Sequence, residues 1–326
     1  MIFALAITGP TASGKTALSL SLAETLGGEI ISCDSMQVYR GMDIGTAKAT
    51  EEERARVPHH LIDFLSPLES YSAETYRTAA IECAKDIADR QKLPIFVGGT
   101  GLYIDSVKRQ MSKEVPESDA EYRDNILLSI KTEEDIDSLW RRLRDVDPES
   151  AEKIHKNNVK RVIRALEIYD KTGRTKSELD RESRQYDSEV FVGMITIDFL
   201  NRDLLYQRVD SRVDAMMNEG LLREVEELYR AGLLDGATAS QAIGYKEMVE
   251  YIRGEIGLTE AVDKLKLVTR RYAKRQLTWF RHEEGAKVVY ADTPDGRLKG
   301  ADELLSEVLV LVEELKKVFI SKGEKT

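Results

Sequence analysis

Residues 9 to 16 read GPTASGKT and match the phosphate-binding consensus GxxxxGK[ST] at every fixed position. Residues 2 to 8 before this loop are apolar and partly β-branched, and residues 17 to 26 after it have helix-forming composition. A strand, a glycine-rich loop and a helix in this order turn backbone amides and a helix N-terminus towards an oxyanion. The loop therefore predicts a di- or triphosphate site, with the Thr16 hydroxyl as a candidate ligand for Mg²⁺. The predicted phosphate ligands are Gly9, Thr11, Ala12, Ser13, Gly14, Lys15 and Thr16.

Two further short strands resemble the first in pattern. Residues 29 to 33 are followed by Asp34, residues 93 to 97 are followed by the sequence GGTG, and residues 73 to 90 between them predict a helix. Alternating strands and helices predict an α/β fold, with a P-loop NTPase-like parallel sheet core flanked by helices. Because ligands gather at the carboxyl ends of parallel strands, we expect these strand ends to share one site.

The chain changes character between residues 109 and 188. This stretch is charged, rich in helix formers and without a convincing buried strand. It predicts an all-helical domain inserted into the core, so that residues 1–108 form the first part of the core and residues 189–326 the second part, with C-terminal helices. The strand pattern resumes at residues 190 to 197, and no internal repeat is found.

Charge distribution points to a polyanionic partner, although the net charge of −10 alone speaks against one. No acidic residue lies between Lys264 and His282, and aromatic side chains stand among the basic residues Arg270, Arg271, Lys274, Arg275 and Arg281. A smaller basic cluster, Lys160, Arg161 and Arg164, lies in the helical insertion. A solvated helix face explains either cluster alone, but two clusters beside a phosphate loop favour a polyanion.

The two cysteines, Cys33 and Cys83, have no CxxC partners, which predicts neither a zinc site nor a disulfide and fits a reducing cytoplasm. The apolar run at the N-terminus is too short to cross a membrane and continues into the phosphate loop. We therefore expect a cytoplasmic protein with no membrane partner, whose first residues form a buried strand.

Asp34 and Thr100 are the candidate reactive positions at the other two strand ends. Asp34 is suited to hold magnesium, to act as a base, or to cap the following turn. Thr100 stands among glycines where a kinase often places an acidic residue; these small residues suit a narrow passage, and an N-cap is the alternative explanation.

Over nearly its whole length the chain resembles the bacterial tRNA dimethylallyltransferases, also called tRNA isopentenyltransferases. Eight blocks in the family's order carry the resemblance: GPTASGKT from Gly9, DSMQVYRGMDIGTAK from Asp34, HHLID from His59, VGGTGLY from Val97, KRVIRALEIY from Lys160, RVDAMMNEGL from Arg212, AIGYKE from Ala242 and RRYAKRQLTWFR from Arg270. Together these blocks are far more specific than the phosphate loop alone.

The resemblance implies transfer of a dimethylallyl group from dimethylallyl diphosphate to the exocyclic N6 amine of the adenosine 3′ of the anticodon, position 37 of tRNA, with release of diphosphate. It implies that Asp34 is the base, that Thr100 lines the passage to the donor and that Arg212 binds the diphosphate, with Arg208 as the alternative. It also implies that the helical insertion grips the anticodon stem. The implied tRNA contacts are Asp34, Ser35, Met36, Gln37, Thr100, Arg123, Lys160, Arg161, Arg164, Gln241, Gly244, Lys246, Lys274, Arg275, Gln276 and Arg281.

Three other functions share parts of this pattern. A small-molecule or nucleotide kinase has the same loop and sheet, and an adenylate isopentenyltransferase uses free AMP, ADP or ATP as its acceptor. The latter needs no anticodon-gripping insertion, so residues 109–188 argue against it. An RNA-binding protein with a vestigial loop would not be expected to keep Lys15, Thr16 and Asp34 together. We expect a monomer.

Overall fold

The computed structural model describes residues 1–109, 115–116, 119–183 and 188–323. The chain divides into two compact units, one formed by Met1–Lys108 with Glu189–Thr326 and the other by Arg109–Ser188. We call the first the core unit and the second the helical unit.

A six-stranded sheet forms the centre of the core unit, and every pair of neighbouring strands is parallel. Its strands are β1 (Ile2–Thr8), β2 (Gly28–Ser32), β3 (His59–His60), β4 (Leu93–Gly98), β5 (Val190–Asp198) and β6 (Lys287–Tyr290). Their spatial order is β3-β2-β4-β1-β5-β6. The predicted α/β fold with a parallel sheet is confirmed, and the sequence pattern missed only the two short edge strands, β3 and β6.

Fourteen α-helices lie in the described part of the chain. They are α1 (Lys15–Leu26), α2 (Glu51–Arg56), α3 (Ala73–Asp89), α4 (Gly101–Lys108), α5 (Ala120–Ser129), α6 (Glu133–Val146), α7 (Pro148–Lys153), α8 (Val159–Thr172), α9 (Lys176–Ser183), α10 (Arg202–Glu219), α11 (Leu221–Arg230), α12 (Tyr245–Ile252), α13 (Leu258–Arg281) and α14 (Ala301–Gly323).

Side chains alternate between the two faces of the sheet, as the period of two in a strand requires. Leu5 and Ile7 of β1 pack in a cluster with residues of α1, α10, α13 and α14, whereas Ala4 and Ala6 pack on the other face against α3 and α4. Because both faces are covered by helices, the sheet is buried and its carboxyl edge is where a ligand finds space.

A third apolar cluster of the core unit packs α10, α11, α12 and α13 against residues 36–47. The buried side chains of Tyr39 and Tyr245 are its largest members. This packing fixes the loop after β2 and two long helices, α10 and α13, around the carboxyl edge of the sheet.

The helical unit has its own small core. Leu143 of α6 and Leu166 of α8 are fully buried in it, and Trp140 packs at its side and donates a hydrogen bond from its indole to the Ile154 carbonyl at 2.9 Å. Helices α5, α6 and α7 begin at side-chain caps, and that of α6 is Thr132, whose hydroxyl accepts from the Asp135 amide.

No helix of the described residues is long and apolar enough to cross a membrane. Cys33 and Cys83 are both free thiols.

Candidate active site

A cavity of about 910 Å³ opens at the carboxyl edge of the sheet, within the core unit. The loops that follow β1, β2 and β4 line it together with helices α10 and α13. The three strand ends that the sequence singled out therefore meet in one place, where ligands of parallel α/β sheets bind.

The loop after β1 is held in a conformation that glycine permits. Gly9 has φ +142°, and a Cβ there would lie 2.7 Å from the carbonyl oxygen of Ile197, while Gly14 has φ +91° immediately before α1. Both positions would be strained by any other residue. The loop thus leads into the N-terminus of α1, where unpaired amides and the helix dipole favour an anion.

Lys15, the first residue of α1, folds back over the loop. Its Nζ donates to the carbonyl oxygens of Gly9 at 3.0 Å and Pro10 at 2.6 Å. Removal from water lowers the pKa of Lys15 to about 7, and repulsion from Arg212 adds to this effect while Asp34 opposes it. A bound anion would favour the charged ammonium, so the site is electrostatically incomplete without one.

Ser13 is the clearest sign that the loop receives a polar ligand. Its side chain lines the cavity and is 3% exposed, and its Oγ has no hydrogen-bond partner among the described residues. A buried hydroxyl without a partner costs free energy unless a ligand or water satisfies it. The Thr16 hydroxyl, one turn further along, is exposed towards the same cavity.

Asp34 lies two residues after β2 and lines the cavity. Its Oδ1 accepts from the Met36 amide at 2.9 Å, and no hydrogen bond to its Oδ2 is found among the described residues. One carboxylate oxygen thus shapes the turn, and the other has no hydrogen-bond partner among the described residues. Capping and chemistry, which the sequence presented as alternatives, are both compatible with this geometry.

Thr100 ties the ends of β2 and β4 together. Its Oγ1 accepts from the Ser35 amide at 3.1 Å, and its own amide donates to the Cys33 carbonyl at 3.1 Å. At Gly98 a Cβ would lie 2.2 Å from the Cys33 carbonyl oxygen, so only glycine allows this approach. Thr100 stands directly behind the turn of Asp34 and is not itself part of the cavity lining.

Two arginines of α10 line the cavity one helical turn apart but have different contacts. The Nε of Arg208 donates to the Ala12 carbonyl at 2.8 Å, which holds the phosphate loop at a residue with φ +63°. Arg212 has no hydrogen bond or ion pair among the described residues; burial lowers its pKa, and Asp34 opposes this effect. Arg212 is the one whose guanidinium is available to a ligand.

Helix α13 contributes Tyr272, Arg275 and Gln276 to the cavity. Burial raises the pKa of the Tyr272 hydroxyl, and the negative charge of Asp34 adds to this effect. The Arg275 guanidinium lies 5.6 Å from the centre of the Tyr272 ring, a cation–π distance. Gln276 is 5% exposed, and its amide accepts from the Thr11 amide at 2.8 Å and donates to the Gly99 carbonyl at 2.9 Å.

The remaining predicted tRNA contacts of the core unit occupy different environments. Ser35, Met36, Gln37, Gln241 and Gly244 line the cavity. The exposed side chain of Lys246 lies outside the cavity lining, and Lys274 lines a shallower pocket beside Trp279. Arg281 donates from Nε and Nη2 to the two carboxylate oxygens of the buried Asp198, at 2.7 Å and 2.8 Å. Its guanidinium is therefore already paired within the protein.

In the helical unit, Lys160 and Arg161 are exposed at the start of α8. Arg164 is half-buried, pairs with the buried Glu167 and donates to the Pro116 carbonyl. The Nε of Arg123 donates to the Asp119 carbonyl at 3.0 Å.

Sequence reasoning missed Glu224 of α11. Its carboxylate accepts from the amides of Asp43, Ile44 and Gly45 and from the Tyr245 hydroxyl, at 2.6 to 3.1 Å. Glu224 thus anchors the loop that follows Asp34, and it is this loop that lines the cavity. A glutamate among other charged residues on an amphipathic helix carries no signal of this role.

The residues of the cavity define a class of protein, an enzyme of P-loop type with an oxyanion site beside a carboxylate. Among the described residues no cluster of three or more His, Cys, Asp or Glu side chains is placed to hold a metal ion. A cation at this site would take much of its coordination from the oxygens of a bound phosphate.

Known proteins narrow this class to one family. A family model described as IPP transferase matches residues 37–283, and one described as isopentenyl transferase matches residues 2–63. The tRNA dimethylallyltransferase of Bacillus cereus (strain AH187) is 47% identical over 308 residues, which cover 94% of this chain and 93% of that protein. The chain therefore belongs to the IPP transferase family.

Solved structures agree with this assignment. The full-length tRNA isopentenylpyrophosphate transferase from Bacillus halodurans has 42% identity and a TM-score of 0.69, covering 97% of this chain and 98% of that chain. A eukaryotic dimethylallyltransferase acting on tRNA has 30% identity and a TM-score of 0.80, covering 99% of this chain and 80% of that chain.

Proposed function

We propose that this chain transfers the dimethylallyl group of dimethylallyl diphosphate to the N6 amine of the adenosine at position 37 of tRNA and releases diphosphate. One observation carries the proposal. In a chain of this family, the phosphate loop, which contains the buried and unpartnered Ser13 hydroxyl, and the Asp34 carboxylate line the same cavity.

The donor's diphosphate lies at the loop from Gly9 to Thr16. Amides of the loop, the Ser13 hydroxyl and Lys15 surround an oxyanion there, and Arg212 is the available cation on α10. Arg208 shapes the loop through Ala12. As the C–O bond of the donor breaks, its electron pair passes to the diphosphate, and these fixed donors stabilise the developing charge.

Asp34 acts as the general base. The lone pair of an adenine amine is delocalised into the ring, so attack on the allylic carbon is helped when a proton leaves the nitrogen as the new C–N bond forms. The proton passes to the Asp34 carboxylate, whose other oxygen keeps the Met36 amide. Thr100 keeps the Asp34 turn in place through Ser35.

Mg²⁺ fits the same site. The Thr16 hydroxyl at the first turn of α1 and the nearby Asp34 carboxylate are oxygen donors that line the cavity, and Mg²⁺ prefers such ligands together with phosphate oxygens and water. When bound, the ion would neutralise charge on the departing diphosphate. Thr16 is its proposed protein ligand.

The acceptor is a base that leaves the stack of an anticodon loop, which costs little where the strand is already unpaired. Its proposed contacts in the core unit are Asp34, Ser35, Met36, Gln37, Thr100, Gln241, Gly244, Lys246, Lys274, Arg275 and Arg281. In the helical unit they are Arg123, Lys160, Arg161 and Arg164, and this unit, residues 109–188, grips the anticodon stem. The proposed enzyme acts as a monomer, in the cytoplasm with its tRNA.

A single-turnover assay tests the proposal. The chain is mixed with labelled dimethylallyl diphosphate, Mg²⁺ and an anticodon stem-loop with adenosine at position 37, without ATP. Label should enter the stem-loop at that adenosine, and replacing the adenosine by guanosine should abolish incorporation. Label transfer to free AMP in preference to the stem-loop would identify an adenylate isopentenyltransferase, and phosphoryl transfer from ATP to a small metabolite would identify a kinase.

A further inference from the structure

Gln276 joins three elements of the active site through one buried side chain. It lies on α13, its Oε1 accepts from the Thr11 amide of the phosphate loop at 2.8 Å, and its Nε2 donates to the Gly99 carbonyl after β4 at 2.9 Å. With 5% exposure and both polar atoms paired inside the protein, this side chain has little surface for a macromolecular contact.

The fit around the Gln276 amide is tight. A Cβ at Gly99 would lie 2.0 Å from Nε2, so glycine is needed there for the amide to stay in place. Asparagine, one methylene shorter, would not reach both partners from the same backbone position. The site is therefore matched to the length and to the donor–acceptor pair of a glutamine side chain.

The two hydrogen bonds set the direction of the loop's backbone. Gln276 accepts a hydrogen bond from the Thr11 amide, and Arg208 of α10 donates one to the Ala12 carbonyl, two peptide groups further along the loop. Two nearby peptide groups are thus held by two different helices, just before Gly14 and Lys15. Preorganised donors of this kind stabilise charge without reorganising when the ligand arrives.

We infer that Gln276 is a positioning residue for the phosphate-binding loop, which it aligns for the oxyanion without touching it. The inference rests on the proposed function only for the identity of that oxyanion as the donor's diphosphate. It replaces the expectation that Gln276 contacts tRNA.

Calorimetric titration with inorganic pyrophosphate and Mg²⁺ tests this role, because it requires no prenyl transfer. Gln276→Met keeps the length of the side chain but removes both hydrogen bonds, and we expect its Kd for pyrophosphate to rise about tenfold, the fold-change of one or two lost hydrogen bonds. Its Kd for an anticodon stem-loop should stay within about twofold, since no predicted phosphate contact is lost.

Lys274→Met is the matched control, with the same new side chain on the same helix at an exposed position outside the cavity lining. It should show the opposite pattern, with weaker stem-loop binding and unchanged pyrophosphate binding. If Gln276→Met binds pyrophosphate as the wild type does, or loses only stem-loop affinity, the positioning role is wrong.

Gly99→Ala provides an independent test. If Gln276→Met does not fold, Gly99→Ala tests the positioning role of Gln276 by itself. The added methyl displaces the Gln276 amide, so pyrophosphate affinity should again fall about tenfold. In a Gln276→Ala background the same methyl meets no Nε2, and adding it should cost less than about twofold. Additive effects of the two changes would contradict the inference. Wild-type protein that binds pyrophosphate but prenylates no stem-loop would refute the proposed function and leave this test intact.

Discussion

Two regions build the cavity in different ways. The loops after β1, β2 and β4 present backbone amides and short side chains whose positions follow directly from the strands before them. Helices α10 and α13 present long side chains, and which of these face the cavity depends on how the helices pack. The loops supply the phosphate-binding amides and the Asp34 carboxylate, and the helices hold the loops and supply positively charged side chains.

The two regions differ most clearly in how much residue substitution they allow. A Cβ at Gly9, Gly98 or Gly99 would overlap atoms within 2.7 Å, so the loops admit almost no variation. On α10, by contrast, Arg208 and Arg212 are the same residue type one turn apart, and only their partners distinguish them. We therefore expect substitutions of the reacting groups in the loops to lower the rate of the chemical step more than substitutions in the helices do.

The largest effect is expected at Asp34. Asp34→Asn keeps an oxygen for the Met36 amide but removes the base, so kcat should fall by about 10² to 10⁴. Single-turnover prenylation measures the rate, and stem-loop affinity should change little. Turnover near that of the wild type would exclude Asp34 as the base and assign its carboxylate to the turn alone.

Next in size is the contrast between the two arginines of α10. Arg212→Met removes a cation with no competing partner and should lower kcat/KM by about 10², in the range of lost electrostatic stabilisation. Arg208→Met removes the Ala12 contact and should lower it by about tenfold, mainly through KM for the donor. Steady-state kinetics of the two matched variants decide the order, and a larger loss in Arg208→Met would reverse the proposed roles.

Much of the loop region could be predicted from the sequence, and much less of the helical region. The GxxxxGK[ST] motif predicts that Lys15 and Thr16 lie at the phosphate site. Asp34 follows a buried strand that ends at the same carboxyl edge of the sheet, so its place in the site could also be predicted. In the sheet, β3 and β6 were missed because strands of two and four residues at the edges show too little periodicity.

On the helices, residue spacing alone does not predict which side chains face the cavity. Residues four apart share a face, so the sequence did not separate Arg208 from Arg212. The family resemblance implies a tRNA contact for the whole segment that contains Lys274, Arg275 and Gln276, but the fold of α13 buries Gln276 and leaves Lys274 exposed. These outcomes depend on contacts with distant residues such as Thr11 and Asp198, which local patterns do not contain.

The pH dependence of donor binding tests the loop region again. Without a ligand the pKa of Lys15 is about 7, and a bound anion raises it, so binding takes up a proton above that pH. Pyrophosphate affinity should fall by up to about tenfold per pH unit as the pH rises from 7 to 9. Lys15→Met should lose this slope, and calorimetry in two buffers measures the proton uptake. Equal slopes in both proteins would show that Lys15 is already charged in the free site.

The free protein should show the opposite trend in stability. The folded pKa of Lys15 lies below the unfolded value of 10.5, so the unfolded chain binds more protons between pH 7 and 10.5. The contribution of Lys15 to the free energy of unfolding therefore increases with pH in that window. Denaturant midpoints of the wild type and Lys15→Met at pH 7 and 9, without pyrophosphate, measure this difference.

The smallest effect on activity is expected from single basic residues of α13. A comparison of Lys274 with Arg281 tests whether this helix has a tRNA-binding face and a structural face. Lys274→Ala should weaken stem-loop binding by about threefold to tenfold at low salt and reduce the salt slope by about one, as expected for one lost phosphate contact. Arg281→Ala should change stem-loop binding less but destabilise the fold by about 2 to 4 kcal/mol, because it leaves the buried Asp198 carboxylate unpaired. Salt-dependent binding and denaturant unfolding of both variants give the comparison. If Arg281→Ala loses more stem-loop affinity than Lys274→Ala while keeping its stability, Arg281 exchanges Asp198 for the tRNA, and the division of α13 into a structural and a binding face does not hold.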